Sequence, residues 1–147
     1  MFKAETRYAL HAASILAGSG DLISTRELAE RMQLSGAMVA KILHQLTLAG
    51  LVRGRPGPGG GYRLQRPAGE IPLMEIVELG EGREWGLSCL LGLPECNDEH
   101  PCALHQSWGA LRDRIRSLLA SYTVADLAAG RVDLDCGTTP GAGEVQS

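Results

Sequence analysis

No apolar stretch in this sequence approaches the roughly 20 residues that cross a bilayer as a helix. The opening MFKAETRYALHAASILAG carries charges near its start where an export signal would need an apolar block. Neither a membrane span nor a signal peptide is expected, and a cytoplasmic location follows. Cysteine is scarce, four residues in all. In a reducing compartment such thiols bind metal or do redox chemistry more often than they form structural disulfides. The paired C-x2-C knuckles of a zinc ribbon are missing. So is a Gly-Lys-Ser/Thr ending, without which the Gly/Pro run at 56–61 is no phosphate loop. No nucleophile–base or carboxylate pair stands out, and the chain is not expected to be an enzyme.

What is present suits one packed domain, or a small domain with an appendage: 147 residues, 44% hydrophobic and 21% charged. The net charge of −3 hides a dipole. Residues 1–66 hold nine Lys/Arg against four Asp/Glu, and residues 67–147 hold five against thirteen, so +5 faces −8. Such an imbalance points the first half toward a polyanion.

Periodicity predicts a mainly α protein. Tyr8, Ala9, Ala12, Ile15 and Leu16 mark a helix over 4–17 that GSGD ends. Ser24 precedes Glu27 by three residues, the spacing of a capping box, and Leu28, Ala29 and Met32 share a face. Ser35 then caps a helix over 36–49 with the stripe Met38, Val39, Ile42, Leu43, Leu46, and Gly50 stops it. Two short helices across a tight turn match a helix-turn-helix, and equally a plain helical hairpin. The next segment, LVRGRPGPGGGYRLQRP, separates the two, because strand, glycine-rich turn and strand make the wing of a winged helix. Its Arg53, Arg55, Arg63 and Arg66 stand where phosphates or a minor groove would be met. IPLMEIVELG reads as a short amphipathic helix and TVADLAAG as the last one. Between them Leu104, Trp108, Leu111, Ile115, Leu118 and Tyr122 step by 4, 3, 4, 3, 4, the narrow seam of helix-on-helix pairing across a homodimer. The competing reading is a long helix lying on its own domain.

Residues 89–105, CLLGLPECNDEHPCALH, gather three of the cysteines and two histidines. Cys89, Cys96 and Cys102 sit on an aperiodic loop that can wrap around a cargo, and three thiolates plus one further ligand occur with zinc and with iron–sulfur clusters alike. His105 follows Cys102 by three residues at a helix start and is a candidate fourth ligand; exposure as a bystander is the alternative. His11 is a second candidate and Glu5 a weaker one. His100 reads as solvated, His44 as exposed or DNA-facing, and Cys136 as free.

The pattern TRYALHA, LAERMQLSGAMVAKILHQLTLAGLV, GPGGGYRL, PCALHQSW and TVADLA resembles the Rrf2 family of winged-helix transcription regulators over about residues 1–130. The three-cysteine loop is similar to that of the family's IscR/NsrR iron–sulfur branch. The resemblance implies a homodimer on a near-palindromic double-stranded operator, acting as a repressor, with binding altered by a labile cluster, 2Fe–2S ahead of 4Fe–4S. It implies Cys89, Cys96, Cys102 and His105 as ligands, with His11 as an alternative to His105. Arg7 stands where some members place a carboxylate ligand, which sets that mode aside. Ser35, Ala37, Met38 and Lys41 would lie near base edges or phosphates, flanked by Arg53, Arg55, Gly60 and Tyr62 of the wing, and Pro56 where relatives carry arginine would shift the wing's contact. The expected organisation is a winged helix-turn-helix domain over 1–80, a cysteine-rich loop over 81–103, a dimerisation helix and terminal helix over 104–130, and a loose tail over 131–147. Two alternatives remain open: the same regulator using zinc or thiol–disulfide chemistry, and a metal-binding adaptor that does not touch DNA.

Overall fold

The computed structural model describes residues 2–130, so Cys136 and the tail expected over 131–147 lie outside the described residues. Helix α1 (Ala4–Ser19) ends where Gly20 turns left-handed. Ser24 opens α2 (Thr25–Met32) by accepting the Glu27 N–H, but only half of the expected capping box forms, because the Glu27 carboxylate turns to Arg31 one helical turn on. Gln33 at φ 55° closes α2, and the Ser35 hydroxyl accepts the Met38 N–H to start α3 (Gly36–Leu48). These caps, spaced as the sequence spaces them, set the bend between α2 and α3.

The wing is an antiparallel pair, β1 (Val52–Arg55) and β2 (Gly61–Leu64), with Val52 opposite Leu64 and Arg55 opposite Gly61. Ile23 adds a rung: its N–H donates to the Tyr62 carbonyl at 3.0 Å and its carbonyl accepts the Tyr62 N–H at 2.8 Å. Glycine is obligatory at the turn. A Cβ on Gly60 would stand 2.1 Å from the Arg55 carbonyl oxygen, and one on Gly61 2.5 Å from that of Ile23.

A 3-10 turn (Ala68–Glu70) leads into α4 (Leu73–Glu81), which buries Leu73, Met74, Ile76 and Val77. After the cysteine segment come α5 (His105–Ser121) and α6 (Val124–Ala128), the latter opened by a complete capping box between Thr123 and Asp126. The chain then closes on itself. Leu73 N–H donates to Tyr122 O and Val124 N–H to Ile71 O, both at 2.9 Å, and α6 packs on α1. One core results, with Ala12, Leu28, Val39, Leu43, Leu46, Ile71, Val77 and Val124 almost wholly enclosed. The architecture is the expected one, mainly α with a β-hairpin wing. Among the described residues no helix is long and apolar enough to cross a membrane.

The seam predicted along α5 divides into two. Ile115 and Tyr122 pack against the chain's own core beside buried Leu119, and half-buried Trp108 donates its indole N–H to the Ser88 carbonyl at 3.0 Å. Leu104, Leu111 and Leu118, at i, i+7 and i+14, remain 40%, 53% and 52% exposed. A straight helix has 3.6 residues per turn, so the two columns of a 3.5-residue seam lie side by side and can face different neighbours.

Candidate DNA interface and metal centre

Helix α3 presents Ser35, Ala37, Ala40, Lys41, His44 and Thr47 to solvent, while Val39, Ile42, Leu43 and Leu46 anchor its other side. Of the residues expected at base edges, Met38 is half-buried and packs on the core, and Ser35 spends its hydroxyl oxygen on the cap. The Lys41 ammonium bonds the Glu5 carboxylate of α1 at 2.5 Å. That bond first, then the Lys41 and Lys3 charges, hold Glu5 below the usual carboxylate range against a small opposing effect of burial. Between α3 and the wing runs a groove of about 550 Å³, lined by Thr25, His44, Thr47, Arg55, Gly60 and Tyr62 among others. Arg53, Arg55 and Arg63 are exposed on the wing, and among the described residues no carboxylate pairs with them. Arg66 differs from them: it leaves the wing to bond Glu75 of α4 at 2.5 Å. Tyr62 is half-buried, its ring edge 3.0 Å from where a Cβ on Gly54 would stand. The face thus combines an exposed helix, a cationic hairpin and a groove between them, a layout that meets a duplex with side chains in a groove and guanidinium groups on phosphates.

The three loop cysteines converge. Their sulfurs all lie within 4.8 Å of one another, with Cys89 and Cys102 at 3.7 Å. Two thiolates on one tetrahedral metal, with metal–sulfur bonds of about 2.3 Å, stand about 3.8 Å apart, so this donor set fits a metal ion or cluster. The Cys89 thiol is held down to about 7, chiefly by the backbone N–H of Leu93, with Leu91 and the neighbouring thiols assisting against partial burial. Cys96 moves the other way. The Cys102 N–H pulls it down, but burial and the adjacent Cys102 and Cys89 sulfurs outweigh that pull and raise it. His105 Nδ1 lies 3.2 Å from Cys96 Sγ, and its Nε2 lies 2.9 Å from Asp98 Oδ1. His11 is exposed on α1 and is not part of this group within the chain, and His100 is exposed on the loop. Asp98 carried no signal in the sequence. It lies in an aperiodic loop seven residues before its partner, and only the folded turn brings the two together.

The loop is anchored at its start. Phe2 and Trp85 rings meet at 5.1 Å near its start, and Arg116 of α5 donates to the Trp85 carbonyl at 2.9 Å and to Glu78 of α4 at 3.1 Å. A cavity of about 450 Å³ beside the thiols is lined by Cys89, Cys96, Asp98, His105, Trp108 and Arg112 among others.

Comparison with known proteins follows the same lines. The Rrf2 family model, described as iron-dependent transcriptional regulators, matches residues 2–130. The chain is 31% identical to an HTH-type transcriptional regulator of Aquifex aeolicus over 131 residues, 86% of this chain and 90% of that one. It is 31% identical to the HTH-type transcriptional regulator IscR of Xenorhabdus nematophila over 109 residues, covering 74% and 66% of the two chains. Among solved structures, Staphylococcus aureus CymR superposes with a TM-score of 0.69 at 33% identity over 86% of this chain and 96% of that one. Its oxidized form superposes at 0.70, with 32% identity over 87% and 95%.

Proposed function

Because the chain belongs to the Rrf2 family of transcriptional regulators, we propose that it is a homodimeric winged-helix repressor of the cytoplasm whose grip on operator DNA is set by an iron–sulfur cluster held by Cys89, Cys96, Cys102 and His105. The observation that carries this reading is the convergence of three thiols within 4.8 Å, at the foot of a helix whose free face is a column of leucines. A cluster seated there supplies a group that nitric oxide, oxygen or iron scarcity destroys chemically. The protein's part is mechanical. His105 opens α5 and Cys102 lies three residues before it, so the charge and order of the loop would act on the helix that would join two subunits. Leu104, Leu111 and Leu118 would pair the protomers and set the spacing of two α3 helices in successive major grooves. Ala37, Lys41 and His44 would face the bases or phosphates there, and Arg53, Arg55 and Arg63 the flanking backbone. Gly60 and Tyr62 would serve by shaping the wing rather than by reading bases.

Anaerobic isolation tests the reading. Red-brown protein with near-stoichiometric iron and sulfide, bleached by Cys96→Ala together with a change in operator affinity, is the expected result. Colourless protein whose affinity ignores that substitution would overturn the cluster. Arg55→Ala should flatten the salt dependence of DNA binding by about one unit of logarithmic slope. An unchanged slope would remove the wing from the interface.

A second reading is favoured by the 3.7 Å approach of Cys89 and Cys102 and by the low Cys89 thiol. The same regulator would then sense oxidants through a Cys89–Cys102 disulfide. Recovery of that disulfide from iron-free, DNA-binding protein, with affinity following the thiols' oxidation state, would support it over the cluster.

A further inference from the structure

The His105 ring is held on both sides. A carboxylate accepts and cannot donate, so in the 2.9 Å contact with Asp98 the Nε2 atom carries the proton. The opposite atom, Nδ1, is turned to the Cys96 sulfur at 3.2 Å. Imidazole can offer either nitrogen to a metal, and the bond made by one decides which atom the other side presents. The turn that carries Asp98 is itself ordered. Asn97 Oδ1 accepts the N–H groups of Glu99 at 2.9 Å and His100 at 2.8 Å. Residues 96–98 therefore supply, in order, a thiol, the turn that reverses the chain, and the carboxylate that grips the ring beside that thiol. On the far side, His105 N–H donates to the Cys102 carbonyl at 3.1 Å, which ties the ring's backbone to a second cysteine.

We propose that Asp98 is a positioning residue for the metal centre: it holds His105 with the proton on Nε2 and presents Nδ1 as the donor atom beside Cys96. The inference rests on the reading of Cys89, Cys96, Cys102 and His105 as a ligand set. Carboxylates in this place keep the ring's orientation and raise the basicity of the coordinating nitrogen, and their loss weakens metal binding by roughly 10–100-fold. Asp98 is exposed to solvent, which puts its effect at the lower end, about tenfold.

The test is an anaerobic Co²⁺ titration of the metal-free full-length protein, followed by the thiolate-to-cobalt absorption. Asp98→Ala should raise the Co²⁺ dissociation constant about tenfold, with absorption per bound cobalt retained because all three thiolates remain. Asp98→Glu should recover most of the loss. In a His105→Ala background, adding Asp98→Ala should change nothing further, which a general loosening of the loop would not reproduce. An Asp98→Ala protein that binds as tightly as the wild type, or an equal loss with His105 already gone, would overturn the role of Asp98 while leaving the thiolate site standing. Absence of any thiolate-to-cobalt band in the wild-type protein would overturn the ligand set and this inference with it.

Discussion

Thirteen positions separate Cys89 from Cys102, yet their sulfurs touch, and the cysteines of the group do not titrate alike. With Cys89 held to about 7 and Cys96 pushed up, thiolate at neutral pH in metal-free protein forms on Cys89 in preference to Cys96. Thiolate is the nucleophile. Iodoacetamide at pH 7 should therefore label Cys89 several times faster than Cys96, as counted by peptide mass spectrometry. The Cys89 rate should fall about tenfold for each pH unit below its midpoint and level off above it; faster labelling of Cys96 would contradict the local geometry. Glu5 offers a second test at this scale. Its carboxylate occupies the Lys41 ammonium on the exposed side of α3. Glu5→Gln should release that cation and tighten binding to duplex DNA of any sequence, steepening the salt dependence by about one unit in fluorescence anisotropy. Unchanged affinity at low salt would mean that Lys41 does not meet DNA. The cysteines and Lys41 were legible as candidates from residue type and spacing, but the Glu5–Lys41 and Asp98–His105 pairs were not, since Glu5 and Lys41 stand on different helices and Asp98 lies in an aperiodic loop.

Among the elements, α5 shows what periodicity can and cannot deliver. The alternating 4, 3 spacing identifies a helix with a narrow apolar seam, and that helix is present over His105–Ser121. Spacing alone does not say which neighbour each column of the seam meets. Ile115, Leu119 and Tyr122 are used by the chain's own core, and Leu104, Leu111 and Leu118 are left over. The two columns should respond differently to substitution. Leu111→Glu with Leu118→Glu should give a folded monomer by sedimentation, because neither side chain supports the core. Leu119→Ala should cost about 2–5 kcal/mol in urea unfolding, because it empties a buried position. A dimer that survives the paired glutamates would move the subunit interface elsewhere. The wing teaches a similar lesson. Its glycine run announces a turn in the sequence, while the 2.1 Å clearance at Gly60 shows a backbone that must pass close to Arg55.

At the largest scale, the first and last helices of the described residues meet. The hairpin carries the cations, α4 packs on α1, and α5 returns through the Pro72–Thr123 bridge so that α6 also lies on α1. The cysteine loop, spanning the gap between α4 and α5, is clamped by Arg116 to the Trp85 carbonyl and to Glu78. Under the proposed function, a change of order in the loop would reach the helix-turn-helix through these contacts. Arg116→Ala should preserve metal uptake, since Arg116 bonds none of the thiols, but should narrow the ratio of operator affinities between metal-loaded and metal-free protein. A full ratio in that variant would show that coupling runs outside this clamp.

By itself the chain of residues determined the helices, the wing, their order and the gathering of cysteines, because caps, apolar periods and glycine turns act over a few neighbouring positions and leave a local record. Only the folded molecule decided which leucines stay bare, that Arg66 turns to Glu75, that Lys41 is held by Glu5, and which nitrogen of His105 faces the sulfurs. Those outcomes depend on distances between segments far apart along the chain. They are set by how the packed elements meet, and no local pattern encodes that meeting.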